Sequence, residues 1–396
     1  MSTVKTRHVF TSESVSEGHP DKVCDQISDA ILDALLAQDP ESRVACETLA
    51  TTNLIVLSGE ITTKATVDFP KIARKVAADI GYDNDDLGFN ANDAEVIVKI
   101  HQQSPDIAQG VDAATSLSRE QGAGDQGMMF GFACSETDAF MPAPIYYCHR
   151  IMEEFARLRH TGNYPFLRPD AKTQISFLYD GGKPVAIKSI VVSHQHTPDM
   201  NIKDLEALAH QVVNKVIPKQ YLDASPDVKF YINQTGRFVL GGPAGDTGLT
   251  GRKIIVDSYG GMGRHGGGAF SGKDPSKVDR SATYMARYVA KNLVAAGIAS
   301  VCEIQVAYVI GQAQPLSLNV NTFGTGIVPD AQIADFLLSG QLFDFRPARI
   351  IDMLGLKTPK DWSYLQSASY GHFGRSIFPW EKLDKVEAIK AALLGR

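Results

Sequence analysis

Residues 266–282 read GGGAFSGKDPSKVDRSA, in which flexible glycines precede a run of mixed basic and acidic side chains. Glycines let a backbone approach a ligand closely and turn its N–H groups toward anionic oxygens. Lys273 and Lys277 can neutralise negative charge, and Asp274 and Asp279 offer oxygen atoms to a hard divalent cation. The stretch therefore predicts a polyphosphate site. Residues 266–273 are called the glycine loop below.

Two further glycine-flanked clusters support this prediction: GHPDK at residues 18–22 and GLTGRK at residues 248–253. Apolar residues recur every fourth position through residues 23–38, at Val23, Ile27, Ile31 and Leu35. This period predicts a half-buried helix whose aspartates, at 25, 29 and 33, lie on another face. GHPDK then lies at a helix start, where free N–H groups and a partial positive charge suit an anionic ligand.

The rest of the chain alternates strand-like and helix-like segments. Strands are predicted at residues 44–49, 54–61, 95–101, 128–133, 174–179, 185–194, 228–232, 253–257, 303–310 and 316–320. Helices are predicted at residues 69–80, 143–160, 202–217 and 279–296. The mixture predicts an α+β fold in which a helix and paired strands recur in three cycles.

Composition excludes several classes of protein. With 396 residues, 44% of them hydrophobic, the chain is long enough for two or three cores. A net charge of -6 provides no global basic field, so a nucleic-acid partner is not expected. The five cysteines form no CxxC pair, which argues against a zinc site or a disulfide framework and favours a reducing cytoplasm. Neither a signal peptide nor a membrane-spanning run is apparent.

Two nucleotide-binding motifs are matched only in part. Residues 267–273 have the spacing of a P-loop, but Asp274 stands where that loop needs Ser or Thr, which disfavours a P-loop phosphohydrolase. GAGDQG at residues 122–127 matches GxGxxG, yet it leads from a polar loop into a strand, so a Rossmann dinucleotide site is not expected. Asp125 within it remains a plausible ligand contact.

Other polar residues allow two interpretations. His19 lies in a loop beside Asp21, which favours a functional role, whereas His194 and His196 at a strand end are predicted to be structural. Glu47 and Glu60 lie in or just after strand-like runs and could be either exposed or buried with a partner. Asp246, Arg252 and Lys253 flank a glycine cluster and are by default a solvated group of charges. Phe238 is more often a core residue than a stacking platform.

GHPDK, GAGDQG and GGGAFSGKD occur in this order and together closely resemble the S-adenosylmethionine synthetases, or methionine adenosyltransferases. The resemblance covers nearly the whole chain, from FTSESVSEGHPDK to GHFGR and FPWE. It implies three similar α+β domains, each a mixed β-sheet with helices on one face, interwoven in sequence. The implied bounds are 1–105, 120–241 and 243–390, with a mobile lid and linker at 103–119. It also implies a cytoplasmic homodimer or homotetramer with active sites at the subunit interface.

The resemblance implies a reaction in which the sulfur of L-methionine attacks the ribose C5′ carbon of ATP. Triphosphate is displaced and then hydrolysed to diphosphate and phosphate. A thioether carries no proton, so no general base is needed, and alignment of the two reactants can supply roughly 7 to 11 kcal/mol. Two other hypotheses stay open: a P-loop phosphohydrolase and a nucleotide-binding protein without chemistry. The cofactors implied are Mg²⁺ and K⁺.

Site residues carried over by resemblance fall into four groups. The catalytic residues would be His19, Lys172, Arg252 and Lys273. ATP would be bound by His19, Asp170, Lys172, Arg237, Phe238, Asp246, Arg252, Lys253, Ala269 and Lys273. Methionine would be bound by Glu60, Gln103, Asp125, Asp246 and Lys277. Asp21 and Asp279 would hold magnesium, and Glu47 would hold potassium.

Overall fold

The computed structural model describes residues 7–102 and 120–395. The strands are β1 (His8–Val15), β2 (Arg43–Thr51), β3 (Leu54–Thr62), β4 (Glu95–His101), β5 (Gly127–Cys134), β6 (Leu167–Asp180), β7 (Lys183–His196), β8 (Lys229–Ile232), β9 (Gly248–Leu249), β10 (Val301–Tyr308) and β11 (Ser317–Asn321).

The helices are α1 (Pro20–Leu36), α2 (Phe69–Ile80), α3 (Ala143–His160), α4 (Ile202–Val216), α5 (Lys219–Asp223), α6 (Gly242–Gly245), α7 (Ile254–Asp257), α8 (Val278–Ala295), α9 (Asp330–Leu338), α10 (Pro347–Leu354), α11 (Tyr364–Ser367) and α12 (Val386–Leu394). Short 3₁₀ turns lie at Asp85–Leu87 and Pro379–Glu381. Within the described ranges, no helix combines the length and apolar character needed to cross a membrane.

Three sheets form the framework, in the strand orders β1-β6-β7-β8, β11-β10-β5 and β4-β3-β2-β9. Each sheet includes a strand from a distant part of the chain. β1 pairs antiparallel with β6, β5 pairs with β10, and β9 pairs with β2. The first and third orders each contain one parallel pair, β7 with β8 and β3 with β4. The predicted α+β fold, with three units interwoven in sequence, is confirmed.

Each sheet packs against helices around its own apolar core. One core joins α1 and α2 to β2 and β3, with Ile27 and Ile55 fully buried. A second joins α3 and α4 to β6 and β7, and a third surrounds α8. Trp380 is fully buried in the third core and stacks on Tyr284, with ring centroids 3.8 Å apart.

Element bounds agree best where caps mark the ends. For α2 the predicted bounds match the structure, since Asp68 caps the first turn and Gly81 ends the helix with φ 111°. The strand predicted at 253–257 is wrong. Residues 254–257 form the short helix α7, closed by the Asp257 N–H donating to the Lys253 carbonyl at 2.8 Å. The β-branched run IIV indicated a strand, but this turn brings the Asp257 carboxylate to the buried Lys22.

α1 differs from the expected half-buried helix. Every residue in it is buried except Ala30, Asp33 and Ala34. The apolar face fills the first core, as predicted, but the aspartate face is covered too: Asp25 and Asp29 are 0% exposed. A buried carboxylate needs hydrogen-bond donors or a counter-charge, and this requirement organises the site described next.

Candidate active site

His19 forms the amino-terminal cap of α1 and is buried, with 3% of its surface exposed. Its Nδ1 accepts a hydrogen bond from the Asp21 backbone N–H at 3.1 Å. Burial, followed by the positive charges of Lys253 and Lys172, lowers the pKa of His19 to about 3. The ring is therefore neutral near pH 7, and because Nδ1 accepts, the ring proton lies on Nε2.

Asp21, two residues beyond His19 in GHPDK, is also buried. Its Oδ2 accepts from Lys253 Nζ at 2.5 Å and its Oδ1 from the Leu249 N–H at 3.0 Å. Burial acts to raise the pKa of Asp21, but these two hydrogen bonds together with the positive charge of Lys253 outweigh it, and the pKa lies below its usual value. Arg252 Nε lies 3.7 Å from Oδ1. Asp21, Arg252 and Lys253 thus lie together, with the Arg252 side chain still half exposed.

The acidic residues of α1 recur every four positions and form a stripe, Asp21, Asp25, Asp29 and Asp33, in which each carboxylate accepts backbone N–H groups from a distant segment. The donors are Leu249 for Asp21 (3.0 Å), Gly251 for Asp25 (2.8 Å), Gly272 for Asp29 (2.9 Å), and Tyr364 (2.9 Å) and Leu365 (2.8 Å) for Asp33. One helix face therefore holds the GLTGRK segment, the glycine loop and the start of α11 in fixed relative positions.

The glycine loop presents Lys273, whose Nζ donates to Asp279 Oδ2 at 2.7 Å. Both side chains are partly exposed, at 21% and 27%. Asp274 is buried, pairs with Lys277, and accepts from the Val44 N–H at 2.6 Å. Asp274 therefore connects the end of the glycine loop to β2 and does not take the position of the Ser or Thr hydroxyl of a P-loop. This agrees with the argument from sequence against a P-loop phosphohydrolase.

The glycine loop and the GLTGRK segment touch each other. A Cβ on Gly251, which has φ +80°, would lie 2.6 Å from the Ala269 Cβ. Gly272, also with φ +80°, passes so close to β2 that a Cβ would lie 2.0 Å from the Cys46 carbonyl oxygen. A side chain at residue 251 would force the two loops apart, and one at residue 272 would force the glycine loop away from β2. Both clusters of charge are therefore parts of one continuous structure around the start of α1.

A third group of predicted residues surrounds Asp170 on β6. Asp170 is buried, its Oδ2 accepts from the Gly242 N–H at 2.9 Å, and its Oδ1 has no partner within the described residues. Burial raises the pKa of Asp170 to about 6, and the negative charge of Asp246 adds to the rise. Phe238 lies near Asp170, since a Cβ on Gly241 would lie 2.8 Å from the Phe238 ring and 3.2 Å from Asp170 Oδ2. The Phe238 N–H donates to His196 Nε2 at 3.0 Å. Both ring nitrogens of His196 are thus engaged, Nδ1 with the Thr197 carbonyl oxygen and Nε2 with the Phe238 N–H, so that His196 holds the Phe238 backbone in place.

The remaining predicted residues are less closely associated. Lys172 is exposed on β6, near enough to His19 for its charge to act. Glu60, at the carboxyl end of β3, lies 3.2 Å from His101 Nε2. Arg237 is exposed, and so is Asp125, which caps its own turn by accepting from the Gln126 N–H.

Glu47 lies on β2, where the charge of Lys273 acts on it. Gln103 and the predicted lid at 103–119 lie outside the described residues.

Lys22, Asp25 and Asp257 form a buried group that sequence reasoning did not assign. Lys22 is 0% exposed; its Nζ donates to Asp25 Oδ2 at 2.9 Å and to Asp257. Burial raises the pKa of Asp257 to about 7, with Lys22 opposing the rise. One feature of the sequence could have indicated this group: aspartates recur every four residues on the same helix that carries Lys22 of GHPDK.

Among the described residues, no cluster of three or more His, Cys, Asp or Glu side chains could hold a metal ion by itself. The donor chemistry of Asp21 and Asp279 nevertheless suits magnesium, a hard cation commonly bound through one or two carboxylates plus substrate phosphates. Asp21 is ionised because of its low pKa, and each oxygen keeps a lone pair beyond the bond it accepts. Asp279 is partly exposed beside Lys273.

The site combines cationic side chains, carboxylates and glycine-bounded loops with a neutral histidine at a helix start. This combination is typical of proteins that bind a phosphorylated ligand. Three family models cover most of the chain: the amino-terminal, central and carboxyl-terminal domains of S-adenosylmethionine synthetase, at residues 7–105, 120–238 and 240–382. A curated S-adenosylmethionine synthase of Treponema denticola is 58% identical over 388 residues, covering 97% of this chain and 98% of its own. The chain belongs to the S-adenosylmethionine synthetase family, whose members are methionine adenosyltransferases and depend on metal ions.

Proposed function

We propose that this protein makes S-adenosyl-L-methionine by attack of the methionine sulfur on the ribose C5′ carbon of ATP. The new S–C5′ bond forms as the C5′–O5′ bond breaks, sulfur becomes a sulfonium cation, and the electron pair leaves with triphosphate. Water then cleaves triphosphate to diphosphate and phosphate. The observation that carries the proposal is the buried, neutral His19 beside Asp21 and Lys253, in a chain that belongs to this family.

His19 has the properties required at the leaving oxygen. With Nδ1 accepting from the Asp21 N–H, the Nε2–H is the group left to donate to O5′ as negative charge develops there. A hydrogen bond that strengthens as charge develops lowers the barrier. Since the pKa of His19 is about 3, the ring is neutral near pH 7. The N–H of a neutral imidazole is a very weak acid, so it donates a hydrogen bond without giving up its proton.

The surrounding cations would hold the triphosphate. Lys253 and Lys273 each pair with a carboxylate in the structure, so both ammonium groups are already directed, and Arg252 and Lys172 extend the positive field. One cation about 4 Å from an anion contributes roughly 4 kcal/mol at an effective dielectric near 20, before desolvation. Several cations are therefore needed to stabilise the departing charge.

The ATP and methionine subsites are proposed from the resemblance together with these positions. Asp170, Phe238 and Asp246 lie on one side of the site and would bind adenosine, with Arg237 and Ala269 contributing. Methionine would be bound by Glu60, Gln103, Asp125, Asp246 and Lys277. Asp125 and Asp246 would place negative charge near the emerging sulfonium, which favours the transition state.

The proposed ions are Mg²⁺, held by Asp21 and Asp279 together with phosphate oxygens, and K⁺, held by Glu47. When bound, they would neutralise the triphosphate and shape its site. We further propose a cytoplasmic homodimer or homotetramer with active sites between subunits, and the domain bounds and lid given by the sequence. The five free, buried cysteines are consistent with a reducing compartment.

The testing experiment mixes the protein with ATP, L-methionine, Mg²⁺ and K⁺ and follows the products by mass spectrometry. We expect a sulfonium product, diphosphate and phosphate in equal amounts, and no ATP turnover when methionine is omitted. Methionine-independent formation of ADP and phosphate would instead indicate a phosphohydrolase.

A further inference from the structure

The Arg280 side chain lies beneath the glycine loop and is fully buried, together with Asp29. Its NH1 and NH2 donate to the two Asp29 oxygens at 2.6 and 2.8 Å. The remaining donations go to the Tyr284 hydroxyl (3.0 Å), the Ser367 hydroxyl (3.1 Å) and the Lys273 carbonyl (3.1 Å). The five N–H groups of the guanidinium therefore all have acceptors.

This ion pair holds the glycine loop on both sides of one lysine. Asp29 Oδ1 accepts the Gly272 N–H at 2.9 Å, and Arg280 donates to the Lys273 carbonyl. Lys273 Nζ reaches Asp279, the residue next to Arg280 on α8. The backbone of Lys273 and the partner of its ammonium group are thus set by neighbouring residues of α8.

We propose that Asp29 and Arg280 are positioning residues that fix the Lys273 ammonium group for the triphosphate. The inference rests on the proposed function for its ligand, and on the buried ion pair for its geometry. A buried ion pair is weak support for stability alone, because packed apolar residues often replace such a pair without loss. Its distinctive feature here is that both partners also bind the backbone around Lys273.

Arg280→Lys tests the geometry because it keeps the charge and removes the fork. A lysine has three donors from one nitrogen and cannot hold both Asp29 oxygens and the Lys273 carbonyl as the planar guanidinium does. We expect the glycine loop to remain formed but Lys273 to be less well placed.

Arg287 provides a matched control on the same helix. It too is fully buried, donates to both oxygens of a carboxylate, Glu381, and uses its other N–H groups on backbone carbonyls. Those carbonyls belong to Phe132, Ala139 and Phe140, outside the glycine loop. Arg287→Lys therefore disturbs a similar buried pair, in which Lys291 also holds the carboxylate, without touching Lys273.

The experiment measures the Kd of inorganic tripolyphosphate with Mg²⁺ by calorimetry in the full-length protein. Arg280→Lys and Arg287→Lys are each made with and without Lys273→Ala, and folding is checked by thermal denaturation. We expect Arg280→Lys alone to weaken binding by about tenfold, and by less than about twofold when added to Lys273→Ala, because it acts through that lysine. Arg287→Lys should change Kd by less than about twofold in either background.

Equal effects of Arg280→Lys with and without Lys273→Ala, or equal effects of the two arginine variants, would overturn the proposal. If Arg280→Lys does not fold, Asp29→Asn is used in the same cycle, since an amide oxygen still accepts from Gly272 but lacks the charge. A coupled result in a protein that forms no sulfonium product would sustain the positioning role while refuting the proposed function.

Discussion

The GLTGRK segment and the glycine loop are both held by aspartates of α1, but the two anchors differ in charge balance. Asp29, which holds the glycine loop, is matched by the single buried Arg280. Asp25, which holds the GLTGRK segment, shares the buried Lys22 with Asp257, so two carboxylates face one ammonium group. The first anchor is neutral as a unit, whereas the second carries one excess negative charge unless it binds a proton.

The comparison shows how similar local motifs obtain different physical properties. In both anchors an aspartate accepts the N–H of a glycine, at 2.8 Å in one and 2.9 Å in the other. The two anchors differ in the charge that surrounds the aspartate. In the anchor of the GLTGRK segment, burial raises the pKa of both Asp25 and Asp257. The glycine loop should therefore keep its geometry over a wide pH range, and the GLTGRK segment should depend on protonation.

The largest expected effect comes from the side chain that the glycine loop presents. Lys273→Ala should lower the rate of S-adenosylmethionine formation by about 10³-fold, since it removes a cation from the proposed triphosphate site. Thermal stability should change little, because the Lys273–Asp279 pair is partly exposed. Lys75→Ala, which removes the exposed Lys75–Asp79 pair, is the control and should retain full activity. Parental activity of Lys273→Ala at saturating Mg²⁺ would refute this assignment.

The next largest effect is expected at His19, beside the GLTGRK segment. His19→Asn should slow S-adenosylmethionine formation by roughly 10²-fold, because the proposed donor to the leaving oxygen is altered in reach and direction. Hydrolysis of added tripolyphosphate should fall less, since that step does not break the C5′–O5′ bond. Measuring both steps in one preparation distinguishes them, and equal losses would contradict a leaving-group role.

The charge imbalance itself predicts a pH-dependent stability. The folded pKa of Asp257 is about 7, against about 3.9 in an unfolded chain, so the folded state retains a proton that the unfolded state has lost. The free energy of unfolding should therefore fall as pH rises from about 4 to 7, by at most about 1.4 kcal/mol per pH unit from this group. Asp257→Asn should flatten that slope in denaturant titrations.

The control for Asp257→Asn is Asp352→Asn, at an exposed ion pair on α10, which should leave the pH slope unchanged. An unaltered slope in Asp257→Asn would show that the excess charge is compensated elsewhere and would remove the contrast between the two anchors.

The smallest effect is expected at Glu47, on the strand that contacts the glycine loop. Glu47→Gln should raise the K⁺ concentration for half-maximal activity by about threefold to fivefold, since one carboxylate charge is lost at the proposed ion site. Activity is measured over a K⁺ series at constant ionic strength. An unchanged K⁺ dependence would place the potassium ion elsewhere.

Local sequence patterns predicted much of the fold. Periodicity and end signals gave the bounds of α2, α3 and β4 as the structure has them. β1 was not predicted, because HVFTSESV is largely polar and acquires its role only by pairing with residues 172–179. The error at 253–257 has a similar cause, since the contact of Asp257 with Lys22 spans more than 200 residues.

For the candidate site, the motifs predicted which loops carry the charged residues but not which residues hold those loops in place. The convergence of Asp21 with Lys253 and of Lys273 with Asp279 agrees with the sequence-based site, while the roles assigned to individual residues stay predictions. The aspartate stripe could not be interpreted from sequence alone. Its pattern is also that of a solvated helix face, and only the packing of distant segments makes it an internal scaffold.

The interwoven sheets also constrain how the chain folds during synthesis. β1 has no partner until residues 172–179 have been made, and the β4-β3-β2-β9 sheet lacks its edge strand β9 until residue 249 has been made. The Asp29 carboxylate has no partner for its buried charge until Arg280 has also been made. Pairings of such long sequence separation form slowly and leave strand edges exposed meanwhile. A ribosome-bound or truncated amino-terminal half is therefore expected to be a client for chaperones rather than an independently folding unit.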